Sequence, residues 1–293
     1  MKIRSVKDEL DLSSEDRIET RRLESMDDRC FRNILEVFNL SWKGYRKVRK
    51  GVKKRLTRHM QRLGIKDFES YIKLIKESPK IRKECEILLT VSISRFFRDK
   101  KLWEVLETKV LPDIIKKNQD ILRVWSAGCA RGEEVYTFKI TWDRTLKNRA
   151  ARAQLELLAT DINPWYLEMA KEGKYGPSSL KEVPQEILDT YFEPSEPAGF
   201  FRVKDYLKSE IEWMEHNILN DPPYRPFHLV FLRNNLLTYY KYPLAEETFM
   251  KILRALAPGG YLVKGAHEKV PPSARCLVQT TSHPHVYQKL EDA

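Results

Sequence analysis

The sequence predicts an α/β protein: a mainly parallel sheet covered on both faces by helices. A small all-helical domain precedes it, and a small β-hairpin subdomain is inserted in it. Three observations predict this. After residue 98, five short apolar runs alternate with helical patterns. Before residue 90, apolar residues recur only at helical spacing. Residues 121–137, ILRVWSAGCARGEEVYT, read as a buried strand that breaks into small residues and glycine and then opens a helix.

Residues 1–26 read as a flexible polar arm and residues 27–90 as the helical domain. Phe31, Ile34, Leu35 and Phe38 share a helical face, as do Val48, Val52, Leu56 and Met60 (or Leu63). Gly64 stops the second of these helices, and residues 67–71 start another. Residues 91–118 form a junction with an amphipathic helix over 103–115. The α/β domain then runs over 119–293, with strands expected at 121–125, 155–159, 211–214, 228–232 and 260–265. Residues 173–210 are less regular, with prolines at 177, 184, 194 and 197 and a short strand candidate at 200–203. They read as the insertion.

At 293 residues the chain has room for one large core or two smaller ones. No run of 18 or more apolar residues marks a membrane span, and the charged N-terminus lacks the apolar centre of a signal peptide. Cys30, Cys85, Cys129 and Cys276 are scattered without a CxxC pair, which fits a reducing cytoplasm and gives no zinc or disulfide framework. The histidines form no HExxH pattern, and no metal site is expected. The net charge of +11 is unevenly placed: residues 41–62 hold ten Lys or Arg and no acid. Such a block should meet an acidic partner.

The chemistry gathers at the ends of the expected strands. Small residues at Ser126, Ala127, Gly128 and Ala130 let a ligand approach the backbone. Glu133 and Glu134 follow, where a dinucleotide phosphate would be repelled. A ligand with an ammonium group and ribose hydroxyls would be accepted, which points to S-adenosylmethionine rather than NAD or ATP. Taken alone, the motif also fits an ordinary strand–glycine–helix turn. Asp161, at the tip of the second strand and followed by Ile162, stands where an acid accepts ribose hydroxyls; the alternative is that it caps the helix near Pro164. Asn217 and Ile218, after the third strand, suit an adenine edge and face. Arg233 and Asn234 end the fourth strand, on the edge where open α/β sheets bind ligands. At the junction, residues 92–98 place Ser92, Ser94 and Arg98 toward a cleft while Phe96 and Phe97 pack inward, and Arg98 suits a bidentate carboxylate.

In this order the segments resemble the CheR-type chemotaxis receptor glutamate methyltransferases, over roughly residues 30–270. That family carries T-x-F-F-R, S-A-G-C-S-T-G-E-E-P-Y-S, A-T-D-I-D, N-L-L, C-R-N-V-x-I-Y-F and P-G-G-x-L-x-x-G-H-S-E. Here these read S-R-F-F-R, S-A-G-C-A-R-G-E-E-V-Y-T, A-T-D-I-N, N-I-L, L-R-N-N-L-L-T-Y-Y and P-G-G-Y-L-V-K-G-A-H-E. The resemblance implies a Rossmann-like S-adenosylmethionine-dependent methyltransferase domain that esterifies glutamates of a chemoreceptor-like signalling protein. It implies that Arg98 holds the cofactor carboxylate, Glu133 its methionine part or ribose, and Asp161 its ribose. Asn217 and Ile218 would flank the adenine, and Arg233, Asn234 and a tyrosine would face the acceptor. It also implies that an acidic helical substrate docks on the basic helix, through Arg46, Arg49, Lys50, Lys53 and Lys54.

The departures are specific. Ser94 replaces threonine, and Ala130-Arg131 replaces Ser-Thr. The family's tyrosine, five residues after the arginine, falls on Thr238, and Tyr239 or Tyr240 fills its place if the loop bulges by one residue. Tyr239 is the candidate nearer the acceptor, and Arg233 is expected to be mainly structural or cofactor-facing. The basic block favours a rival reading as a nucleic-acid methyltransferase. The lack of an N-P-P-Y motif after the fourth strand speaks against it. A cofactor-binding protein without turnover is the other rival.

Overall fold

The computed structural model describes residues 26–117, 121–149, 153–223 and 226–291. The arm expected over 1–26 lies outside them except for Met26, which is buried. Contacts divide the chain into two units: Met1–Phe38 with Lys47–Leu89, and Asn39–Arg46 with Thr90–Ala293. The segment Asn39–Arg46, which the sequence reading gave to the helical domain, therefore groups with the α/β unit.

The helical unit contains the helices Asp28–Val37, Arg49–Arg62, Phe68–Glu77 and Pro79–Leu89. Asp27 and Asp67 cap two of them, accepting hydrogen bonds from Cys30 N at 2.6 Å and Ser70 N at 2.8 Å. Phe31, Ile34, Leu35, Val52, Leu56, Met60, Tyr71 and Ile75 are buried, as the helical spacing requires. His59 is buried beside Met60, its ring nitrogens 2.7 Å from the Tyr71 hydroxyl and 2.8 Å from Glu84 Oε2. Burial holds its pKa below the usual histidine value.

The basic helix is less one-sided than its sequence. Asp28 pairs with Arg49 at 3.2 Å and with Lys53 at 2.8 Å. Arg46 precedes the helix and groups with the other unit. Two of the five cations expected to dock the substrate, Arg49 and Lys53, thus also face an acid of the helix Asp28–Val37. Lys50, Lys54 and Arg58, at i, i+4 and i+8, form an exposed stripe along the helix.

Among the described residues, the α/β unit is built on the strands β1 Ile121–Ala127, β2 Gln154–Asp161, β3 Lys174–Tyr175, β4 Phe192–Ser195, β5 Phe200–Val203, β6 Ile211–Glu215, β7 Phe227–Leu232, β8 Leu256–Lys264, β9 Leu277–Gln279 and β10 Val286–Lys289. The main sheet has the order β6-β2-β1-β7-β8-β10-β9. Its first five strands are parallel, and β10 runs antiparallel to both of its neighbours. The strand order reverses between β1 and β7, so a crevice opens at their carboxyl ends. The inserted region is a three-stranded antiparallel sheet, β3-β5-β4, one strand more than the expected hairpin.

Alternation along β1 serves two cores. Leu122 and Val124 face the layer that holds Trp103, Phe138, Phe231 and Val263. Trp125 and Ala127 face the layer that holds Val230, Leu232, Leu262 and Phe249. Trp125 is fully buried and its indole N–H donates to Thr160 Oγ1 at 3.0 Å, so its polar edge is satisfied. Strands β9 and β10, of which β9 forms the edge, were not expected. They are short, and most of their residues are only half-buried, which leaves little apolar pattern to read.

Candidate active site

The loop after β1 is held by backbone bonds to β2. Gly128 N and Cys129 N both donate to Thr160 O at 2.8 Å, and Ala130 N donates to Asp161 Oδ2 at 2.9 Å. Gly128 has φ +82, and a Cβ there would run into the Asn235 amide. The position therefore requires glycine on both counts. That Asn235 amide donates to Ala127 O and so fastens the tip of β1 to the tip of β7.

Glu133 and Glu134 open the helix Glu133–Arg149 and serve different ends. Glu133 is fully buried. Its Oε1 accepts from Ser179 Oγ at 3.0 Å and from Arg131 at 3.4 Å, with Ser94 also favouring the ionised form. Its Oε2 is buried with no hydrogen-bond partner. Burial pushes its pKa above the ordinary carboxylate value. Glu134 accepts from Ser126 Oγ at 2.9 Å and from Arg233 at 3.1 Å.

Asp161 ends β2 and is nearly buried. Besides Ala130 N, it accepts from Asn163 N at 2.9 Å through Oδ1. The helix that follows is capped by Asn163, which accepts from Trp165 N at 3.1 Å, so Asp161 is not the helix cap. Burial raises the Asp161 pKa, with three backbone N–H groups opposing the shift. Ile162 follows on the same loop, half-buried. After β6, His216 N donates to Asp161 O at 3.0 Å, which brings Asn217 and Ile218 to the same edge. The Asn217 side chain accepts from Leu219 N at 3.0 Å, and Ile218 packs against the Trp125 core.

The junction is bolted on from the other side. Phe96 is buried edge-on to Tyr175 and Phe192. Phe96 N donates to Ser179 O at 3.0 Å, and Phe97 N donates to Thr137 Oγ1 at 3.2 Å. Ser92, Ser94 and Arg98 are half-buried, and the Arg98 guanidinium reaches Ile93 O at 3.3 Å.

At the end of β7 the side chain of Arg233 is clamped. It donates to Asp99 Oδ2 at 2.6 Å and to Glu134 Oε2 at 3.1 Å, lies 5.9 Å from the Trp103 ring centroid, and is 5% exposed. Its charge is thus shared between two carboxylates from different segments. Asn234 has φ +55, and its N–H donates to Glu268 Oε2 at 2.9 Å. The same Glu268 oxygen accepts from Gly265 N at 2.7 Å, and Oε1 accepts from Thr238 Oγ1 at 2.7 Å.

Of the three residues that stand near the family's tyrosine position, Thr238 is thus tied to Glu268. Tyr240 packs against the Trp125 core. Tyr239 is half-buried, and the charges of Arg98 and Glu268 both act on its hydroxyl. Burial dominates and raises its pKa.

Sequence reasoning missed Asp99, Asn235 and Glu268 as site residues. Each acts on a partner far along the chain, and only the late G-A-H-E segment carried any signal of Glu268. With them, the tips of β1, β2, β6, β7 and β8 and the junction form one hydrogen-bonded network along the carboxyl edge of the sheet. Among the described residues, no group of His, Cys, Asp and Glu is arranged to hold a metal ion.

The family described as "CheR methyltransferase, SAM binding domain" matches residues 92–286. The chain is 31% identical over 224 residues to chemotaxis protein methyltransferase Cher2 of Pseudomonas putida, which covers 74% of this chain and 81% of that protein. It is 32% identical over 223 residues to chemotaxis protein methyltransferase 1 of Pseudomonas aeruginosa, with coverage of 74% and 81%. Against the chemotaxis protein methyltransferase of Salmonella typhimurium it is 30% identical over 224 residues, with coverage of 73% and 74%. The matched residues 92–286 include the segments that meet at the edge of the sheet, and the chain belongs to the CheR family of S-adenosylmethionine-dependent methyltransferases.

Proposed function

We propose that this protein transfers the methyl group of S-adenosylmethionine to glutamate side chains of a chemoreceptor-type signalling protein in the cytoplasm. The observation that carries the reading is the network at the carboxyl edge, which links the β1, β2, β7 and β8 motif segments and the junction and reaches the residue before Asn217 through His216 N. The three chemotaxis methyltransferases named above support the acceptor class. Among the described residues, no helix is long and apolar enough to cross a membrane.

The residues fit the cofactor. Glu133 Oε2, buried without a partner, is what an ammonium group would satisfy. Arg98 would hold the carboxylate, with Ser92 and Ser94 beside it. Asp161 would take the ribose hydroxyls through the lone pairs that its two backbone donors leave open. Asn217 would meet the adenine edge, with Ile162 and Ile218 on its faces. Ala127 and Gly128 would keep the floor of the site clear of side chains. When bound, S-adenosylmethionine supplies a methyl group on sulfonium sulfur, a good leaving group for in-line displacement.

The acceptor side then needs alignment and dryness more than acid–base chemistry. A glutamate ionises near ~4.3, so its carboxylate is already a nucleophile at neutral pH and needs no general base. Tyr239, kept protonated by burial, donates a hydrogen bond that orients the carboxylate. Glu268 fixes the Asn234 loop and Thr238 beneath it. Arg233 holds Asp99 and Glu134 rather than the nucleophile, which avoids stabilising the ground state. The acceptor docks through the exposed cations of the basic helix, Lys50, Lys54 and Arg58 first, with Arg46 flanking them and Arg49 and Lys53 shared with Asp28.

The test is labelled methyl transfer to a soluble signalling fragment of a chemoreceptor from the same organism. The expected product is a base-labile methyl ester on glutamate. Base-stable label, or label in RNA, would reject the reading.

A further inference from the structure

The segment Asn39–Arg46 interrupts the helical unit in the chain and belongs to the α/β unit. It is tied by backbone to the short helix Leu236–Tyr239 and the residues after it. Ser41 N donates to Tyr239 O at 2.6 Å, and Lys241 N donates to Asn39 O at 2.9 Å. Leu40 bridges Tyr240 in antiparallel fashion. Gly44 lies so close that a Cβ there would run into the Thr238 carbonyl. Next to it, Tyr45 is buried, with its ring 4.9 Å from that of Tyr239 and inclined at 59°.

Two of these contacts, from Ser41 N and from the Tyr45 ring, fall on Tyr239 itself, the residue that most needs a fixed orientation. A tyrosine on a four-residue helical turn has more than one staggered rotamer open to it. A tilted aromatic neighbour contributes about 0.5–1.5 kcal/mol beyond area burial. That is enough to set which rotamer dominates. The segment carries no acid and no histidine. Its buried tyrosine, Tyr45, acts through the ring that it touches.

We propose that Tyr45 is a positioning residue for methyl transfer: held by the strap Asn39–Arg46, its ring fixes the Tyr239 side chain in the orientation that meets the acceptor. This rests on the reading of Tyr239 as the acceptor-orienting residue.

The experiment is a double-mutant cycle on the full chain, with labelled S-adenosylmethionine and the soluble receptor fragment. Tyr45→Ala is expected to lower kcat about five- to tenfold, in line with the worth of an aromatic pair, while cofactor affinity changes less than about twofold. Tyr45→Phe, which keeps the ring, is expected to restore kcat to within about twofold. In a Tyr239→Phe background, Tyr45→Ala is expected to add less than about twofold, because the hydroxyl it positions is gone. If Tyr45→Ala does not fold, Tyr45→Leu keeps most of the volume without the planar face and should behave the same way. Additive losses in the double variant, or a cofactor affinity that falls with kcat, would overturn the positioning role alone. A Tyr239→Phe enzyme with an unchanged rate would overturn the acceptor role of Tyr239, and the positioning role with it.

Discussion

On the cofactor side of the crevice, backbone does most of the shaping. The loop after β1 hangs on Thr160 O and Asp161, and Gly128 is fixed by where the chain itself must run. On the acceptor side, side chains from distant segments do it. Arg233 reaches Asp99 across 134 residues, Glu268 gathers Asn234, Thr238 and Gly265, and Tyr45 covers Tyr239. The first arrangement suits a ligand that is the same in every turnover. The second can change one residue at a time, as the shifted tyrosine segment does, without touching the cofactor loop. On the function proposed above, cofactor binding and acceptor choice are then separately adjustable.

The largest expected effect breaks the link between the two sides. Arg233→Met leaves Glu134 and Asp99 without their cation. The expected loss is about 3 kcal/mol, at the low end for breaking a buried pair because Asp99 keeps a third of its surface in water. Chemical denaturation reads this directly, and an unchanged midpoint would show that the clamp contributes nothing. Next comes Asp161→Ala, which should weaken cofactor binding by roughly 1–3 kcal/mol. It removes an acceptor from ligand hydroxyls and from Ala130 N together. Calorimetry with unchanged affinity would take Asp161 out of the site.

A smaller effect is expected from the helical unit. Reversing Lys50, Lys54 and Arg58 to Glu should raise KM for the receptor fragment several-fold and leave cofactor affinity alone. The wild-type reaction should also weaken between low and physiological salt, where charges are screened over about 8–10 Å. Arg49 and Lys53 are poor choices for this test, since reversal would set two acids against Asp28. Kinetics indifferent to both salt and reversal would make the stripe a bystander.

The smallest effect is a pH dependence. The Glu133 pKa is raised, chiefly by burial. Between its unfolded and folded values the folded state binds more protons, so this group makes the ligand-free fold less stable as pH rises through that window. A cofactor ammonium selects the ionised form, so cofactor affinity should do the opposite and fall as pH drops through the raised pKa. Glu133→Gln should flatten both dependences. Affinity that strengthens on acidification would show that Glu133 does not face the ammonium.

The same comparison explains what the sequence could disclose. Gly128, Asp161 and the Phe96 junction were legible because strand–glycine–helix handover and apolar alternation are local patterns. Glu268, Asp99 and Asn235 were not, because an acid or amide 30 to 134 residues from its partner has no period. The basic block looked unpaired for the same reason: Asp28 lies 21 residues before Arg49 and 25 before Lys53. The strap Asn39–Arg46 read as part of the helical domain because nothing in its composition separates it from its flanks. Strands β9 and β10 are short, and Val286 is the one buried residue between them, too little to write a pattern with.

The separation of the two sides is tested most directly by one preparation of Tyr239→Phe, measured for cofactor affinity by calorimetry and for methyl transfer at saturating cofactor. The account expects affinity within about twofold of wild type and a rate lowered at least about tenfold, because the lost hydroxyl touches only the acceptor. A rate that falls only in step with a weakened affinity would place Tyr239 on the cofactor side and contradict the division.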